Sequence, residues 1–180
     1  MRGFSIKDAP DVFKWCGSEE CTKYLYWRPH IDIATTERVL SEWIRKRRNY
    51  SWAIEVDNKA VGEIQIIKEL PNKGFLLGYI LNRDYWGKGI ATVAIETVLR
   101  FMFVQEGYLY SREWCDDRND RSKRLLTKVG YEYVETKEGV FIAKKDETIN
   151  EVHFILTKER YLKLQKEKTK QEGKQAIPFG

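Results

Sequence analysis

Two glycines stand between an apolar run and a helix-forming one in Gly78-Tyr79-Ile80-Leu81-Asn82-Arg83-Asp84-Tyr85-Trp86-Gly87-Lys88-Gly89-Ile90-Ala91-Thr92. Lacking Cβ atoms, Gly87 and Gly89 let main-chain N–H groups approach a ligand closely. A helix opening just after them adds its first unpaired amides and the positive end of its dipole. Such a bend suits a phosphate or pyrophosphate. The dinucleotide fingerprint fails, because Thr92 stands where its third glycine belongs, and no P-loop pattern is present. A lone Gly-x-Gly more often marks only a helix start, so the assignment depends on the rest of the chain.

Further along lie Asn119, Ser122 and the run Leu125-Leu126-Thr127-Lys128-Val129-Gly130-Tyr131. Two histidines, His30 and His153, complete the chemically suggestive set together with Glu63 and Cys115. His30 follows Tyr24-Leu25-Tyr26-Trp27, an aromatic segment able to wall a pocket, though an ordinary loop histidine fits as well. His153, beside Phe154, reads as structural. Asp116 and Asp117 disfavour a Cys115 thiolate, which points to a buried thiol rather than a nucleophile. If Val61 and Ile67 face the core, Glu63 and Gln65 share that side by the two-residue period and could make a polar cleft.

These residues need elements to position them. A short strand is expected at residues 3–6 and one or two helices over residues 8–27. A second helix spans residues 36–48, with Val39, Leu40, Trp43 and Ile44 as its apolar stripe and Thr35 or Thr36 as its cap. Residues 50–56 and 60–68 form a hairpin around Asp57-Asn58-Lys59, and 75–82 a further strand. The glycine bend opens a helix to about residue 105, stopped by Gly107. Strand 108–115, helix 119–129, and strands 131–136 and 151–157 complete the domain, and a charged helix fades into a polar tail. The predicted class is α+β: a mixed sheet with helices on both faces, in three layers.

Composition narrows the function. The length of 180 residues suits one domain, expected over residues 1–162, with a basic tail over 163–180. From Lys158 onward seven Lys or Arg face three Glu, so most of the net charge of +5 sits at the C-terminal end and the body is not a nucleic-acid surface. The run Arg45-Lys46-Arg47-Arg48 reads as dipole complementation at a helix end, or as attraction toward an acidic protein or ribosomal RNA. No apolar run is long enough to span a bilayer, and no signal core precedes Pro10. The three cysteines, Cys16, Cys21 and Cys115, lack a metal-ligand rhythm, so neither a metal nor a disulfide is expected, and the compartment is expected to be the cytoplasm.

Taken together, Gly78-Tyr79, Trp86-Gly87-Lys88-Gly89-Ile90-Ala91, the Asn119/Ser122 pair and Lys128-Val129-Gly130-Tyr131 resemble the GNAT (N-acetyltransferase) superfamily, in the branch that acetylates N-termini of ribosomal proteins. The resemblance covers residues 4–161. It implies a mostly antiparallel sheet splayed between strands four and five, with acetyl-coenzyme A as donor. Main-chain amides of Gly87, Lys88, Gly89, Ile90 and Ala91, with Trp86 and Thr92 flanking, would hold the pyrophosphate. Ile80, Leu81 and Asn82 would pair with the pantetheine arm as a pseudo-strand. Asn119 and Ser122 would lie beside the arm and the sulfur, and Arg83 or Lys88 would add charge near the phosphates.

The same resemblance implies direct attack by an amine in a ternary complex, with a small amine or a protein N-terminus as acceptor and a monomer or homodimer as the working unit. The base is Glu63 acting through water, or His30. The acid is Ser122 or a water beside it, although its hydroxyl also suits helix capping. Leu126 occupies the slot where many members carry a tyrosine acid, and Leu76 stands where relatives often place a glutamate. These two departures motivate alternatives: an acyl-coenzyme A-binding module with weak turnover, or an RNA- or ribosome-associated protein resting on the basic tail.

Overall fold

The computed structural model describes residues 1–45 and 50–175; Lys46, Arg47 and Arg48 of the basic run lie outside the described residues. Helices α1 (Ala9–Cys16), α2 (Glu19–Thr22) and α3 (Ile33–Arg45) come first. Pro10 sits at the start of α1, where a missing N–H costs nothing, and Ser18 caps α2. Strands β1 (Ser51–Val56), β2 (Lys59–Leu70) and β3 (Gly74–Leu81) follow as an antiparallel meander. Its first turn uses left-handed Asp57 and Asn58 and its second left-handed Asn72 and Lys73.

Helix α4 (Ile90–Arg100) runs into a π-helical turn, Phe101–Gln105, where the sequence suggested one uninterrupted helix. Then come β4 (Tyr110–Asp116), α5 (Asp120–Val129), β5 (Glu132–Ile142), β6 (Glu147–Thr157) and α6 (Lys158–Gln175). The sheet order is β1-β2-β3-β4-β6-β5. The expected strand at residues 3–6 is reduced to a single bridge between Arg2 and Ala53. A 3-10 turn at Ile6–Asp8, capped by Ser5, takes over the chain instead. The parallel junction of the sheet therefore falls between β3 and β4.

The sheet has helices on both faces. Val12, Trp15 and Cys16 of α1 and Leu40 of α3 pack on Ala53, Ala60 and Ile80. Trp15 also donates its indole N–H to the Ala60 carbonyl oxygen at 2.9 Å, which settles the one polar atom of a fully buried ring. On the other face Ala94, Ile95, Val98, Leu99, Met102 and Phe103 pack with Leu126 and Val129 over Ile64, Phe75, Leu77 and Phe154. No helix among the described residues is long and apolar enough to cross a membrane.

One glycine is needed where it stands. Gly130 ends α5 at φ +114°, and a Cβ there would lie 2.3 Å from Leu164 Cδ1. Gly130→Ala should lower the unfolding free energy by about 1–2 kcal/mol, read as a lower urea midpoint. An unchanged midpoint would mean that neither the dihedral nor the contact matters.

Candidate active site

The parallel pairing of β3 with β4 is short. It covers only Gly74↔Tyr110, Phe75↔Ser111 and Leu76↔Arg112, while β3 stays on β2 as far as Leu81 and β4 stays on β6 as far as Asp116. Beyond Leu76 the two strands part with their outer edges still held. The Asn82 N–H bonds to the Val61 carbonyl oxygen at 2.7 Å, so alternation turns the main-chain groups of Leu81 and Tyr79 toward the gap. Of the three residues expected to line this rail, Ile80 and Asn82 thus commit their main chain to β2 and Leu81 faces inward. Tyr79, absent from the sequence-based set, shares that inward edge.

The bend after β3 has the expected form. Asn82 caps a 3-10 turn, Arg83–Tyr85, by accepting from the Asp84 N–H. Gly87 and Gly89 have φ +74° and +78°, and a Cβ built on either meets nothing within 4 Å. The first bond within α4 runs from the Val93 N–H to the Gly89 carbonyl, leaving the amides of Ile90, Ala91 and Thr92 without an intrahelical acceptor. No side chain caps this end. An open glycine bend leading to uncapped helical amides fits a phosphate-bearing group. Trp86 fixes the bend to the strand by donating its indole N–H to the Leu81 carbonyl oxygen at 2.8 Å. The Arg121 guanidinium, from α5, lies 3.8 Å above its ring. Lys88 lies over Tyr85, and Arg83 pairs with Glu20.

Across the gap, Asn119 caps α5 by accepting from the Ser122 N–H at 3.1 Å. The Ser122 hydroxyl is 2.7 Å from the Tyr79 hydroxyl, so this pair spans from β3 to α5. A tyrosine therefore does reach Ser122, but from the strand and not from the helix slot of Leu126, which is fully buried in the core. Burial pushes the Tyr79 hydroxyl above its ordinary range, and the bond to Ser122 opposes it. Cys115 is buried, which raises its thiol to about 11, so it stays protonated and is no nucleophile at neutral pH.

The opposite face of the sheet carries the candidate bases. A bulge opposite Ile54 and Glu55 makes Val61 an extra residue, so Val61 joins the α4 side while Glu63, paired with Ile80, faces the α1 side. The simple two-residue period thus misjudges Val61. Glu63 is buried and accepts from the Ser51 hydroxyl at 2.9 Å. His30 Nδ1 lies 2.8 Å from the Thr36 hydroxyl and its ring lies against Trp27; burial and Arg38 lower its pKa. His153, read as structural, lies beside Trp114 across β4 and β6 and holds Glu151 at 3.0 Å. Tyr26 stacks on Trp114 with centroids 4.0 Å apart and donates to Glu151. Tyr26, Trp114, Glu151 and His153 form an aromatic and acidic patch that the sequence hid by scattering it over 128 positions.

One carboxyl stands where the strands part. Glu113 is 5% exposed and follows directly after the last β3–β4 rung, Leu76↔Arg112. Its Oε1 has no hydrogen-bond partner.

Comparison with known proteins bears on the same elements. The family model described as acetyltransferase (GNAT) domain matches residues 1–132. The uncharacterized N-acetyltransferase YnaD of Bacillus subtilis (strain 168) is 21% identical over 169 residues, 89% of this chain and 94% of that protein. Spermidine N-acetyltransferase from Vibrio cholerae, solved with coenzyme A and spermine, superposes with a TM-score of 0.74 at 14% identity, covering 89% of this chain and 96% of that one. RimL, a ribosomal L7/L12 α-N-protein acetyltransferase solved with coenzyme A, gives a TM-score of 0.74 at 15% identity over 87% of this chain and 92% of its own.

Burial holds the Glu113 carboxyl protonated well above the usual carboxylate range, against the pull of the Leu77 and Trp114 amides. An unfolded glutamate releases its proton near ~4.3, so between that value and the raised one the native state holds the extra proton. This contribution to stability is complete below ~4.3 and is lost as pH rises. Urea midpoints followed from pH 5 to 8 should fall more steeply for the wild type than for Glu113→Gln. Parallel curves would place Glu113 in a wetter setting.

Proposed function

We propose, because this chain belongs to the acetyltransferase (GNAT) family, that it transfers the acetyl group of acetyl-coenzyme A to a primary amine by direct attack in a ternary complex. The observation that carries the reading is the open, uncapped glycine bend at Gly87 and Gly89 beside two strands that part. The amides of Gly87, Lys88, Gly89, Ile90, Ala91 and Thr92 would hold the pyrophosphate, with Trp86 and Arg121 beside them. Leu81 and Tyr79 would pair with the pantetheine arm through their inward main chain, with Ile80 and Asn82 keeping that rail in place on β2. The coenzyme supplies an activated thioester.

The chain's own residues divide the remaining work. Asn119 positions Ser122 by capping α5, and Ser122, backed by Tyr79, donates a proton toward the leaving sulfur. On the α1 side Glu63 draws a proton from the amine through water, with Glu151 and its neighbour His153 as the second carboxylate facing that space. His30 shapes the wall there together with Trp27. Tyr26 and Trp114 offer aromatic faces beside Glu151, a combination that suits an alkyl ammonium. Two structural neighbours support an amine acceptor, since one is a spermidine acetyltransferase and the other acts on a ribosomal protein. A small amine and a protein N-terminus both meet this description. Helix α6 carries the chain past the domain end expected near residue 162, with Leu164 against Gly130, and three free thiols suit a cytoplasmic location.

The test begins with binding. Acetyl-coenzyme A should raise Tm, and Gly89→Glu should remove that rise by placing a carboxylate in the phosphate cradle; a normal rise in the variant would refute the cradle. Thiol release should then appear with some members of a panel of primary amines. Ser122→Ala should lower kcat roughly 100-fold while leaving coenzyme affinity nearly unchanged. Binding without release on any amine would make the protein an acyl-coenzyme A-binding module.

A further inference from the structure

The feature left unexplained is Glu113. A carboxyl 95% removed from solvent with one oxygen unpartnered is costly, and native structures keep such groups for a reason. Its position supplies one. The β3–β4 ladder ends at Leu76↔Arg112, and continuing it would engage the main chain of Leu77 and Trp114. The amides of Leu77 and Trp114 pull the Glu113 carboxyl toward its charged form against the effect of burial, which sets it beside the end of the ladder. The side chain is buried one residue past the last rung, at the closed end of the gap. Alternation puts it on the side of Ser111 and Cys115, the side where α4 and α5 pack and where Tyr79 meets Ser122.

A chain entering at the Gly87–Gly89 bend and running along β3 has about 13 Å of open rail, from Leu81 back to Leu77, at ~3.3 Å per residue. At the far end of that rail it meets Glu113. We infer that Glu113 is the stop that sets acyl length: its carboxyl fills the closed end, leaves room for an acetyl group, and excludes each further methylene. This inference rests on the coenzyme reading above and adds to it the residue that selects the acyl donor. Pockets of this kind discriminate about 10-fold or more per methylene.

The experiment compares the calorimetric affinities of acetyl-, propionyl- and butyryl-coenzyme A for the wild type, Glu113→Ala and Glu113→Gln. Wild-type affinity should fall about 10-fold or more with each added methylene. Glu113→Gln, which keeps the shape, should preserve that order. Glu113→Ala should bring butyryl-coenzyme A to within threefold of acetyl-coenzyme A, a change in ranking that a uniform loss of stability would not produce. Wild type that binds all three alike overturns the inference without any variant, and so does an Ala variant that keeps the wild-type order. Failure of coenzyme A itself to bind the wild type is a different result: it removes the coenzyme reading and this inference with it.

Discussion

Everything at the site depends on two strands that stop pairing while each stays bound to its other neighbour. β3 keeps its bonds to β2 through Leu81, and β4 keeps its bonds to β6 through Asp116. The three-rung parallel ladder between them is the hinge of a fork whose arms cannot fray. An unpaired strand edge inside a fold would ordinarily be a liability, because buried main-chain groups need partners. Here the edge is short and partly answered by Trp86, whose indole N–H holds the Leu81 carbonyl. The fold keeps a backbone acceptor and donor row open at a place where a linear amide-bearing chain can complete it.

The bend and the fork work as one unit because Trp86 links them. Its indole N–H holds the Leu81 carbonyl, so the last residue of the rail and the first residue of the glycine bend move together. Arg121 stacked on the same ring draws in the first turn of α5, whose cap, Asn119, orients Ser122. Anchoring by packing and by a hydrogen bond on rigid elements is what keeps two glycines, each free to take other dihedrals, from collapsing into the gap. The bend can therefore be open without being loose.

The sheet also separates two chemistries. The α4–α5 side carries helical amides and hydroxyls, Ser122 and Tyr79, suited to an anionic donor and a leaving sulfur. The α1 side carries carboxylates, Glu63 and Glu151, with Tyr26 and Trp114 stacked beside the second. Under the proposed function a cationic amine would be drawn to the second side and give up a proton there, while anionic phosphates would belong to the first.

What could be read from residue order was local, and what could not was decided by strand partners. The bend was legible because its signal, two glycines between an apolar run and a helix, lies within a dozen residues. The start of α5 was legible for the same reason, but its cap was not: the capping role left open to the Ser122 hydroxyl falls to Asn119, which accepts from the Ser122 N–H. The strand at residues 3–6 was not, because Ser5 and Asp8 close a capping box that favours a 3-10 turn over extended chain. Tyr26, Glu151 and His153 meet only after the sheet order is known. Glu113 shows the limit most clearly. Alternation in Tyr110-Ser111-Arg112-Glu113-Trp114-Cys115 groups it with Ser111 and Cys115, yet a charged residue beside arginine in a strand reads as a solvent-facing one. Only the early end of the β3–β4 ladder, known once the strands are paired, puts this buried carboxyl beside the gap. The residue and the gap thus belong together: the ladder stops one residue before Glu113, and its side chain lies buried at that end with one carboxyl oxygen unpartnered.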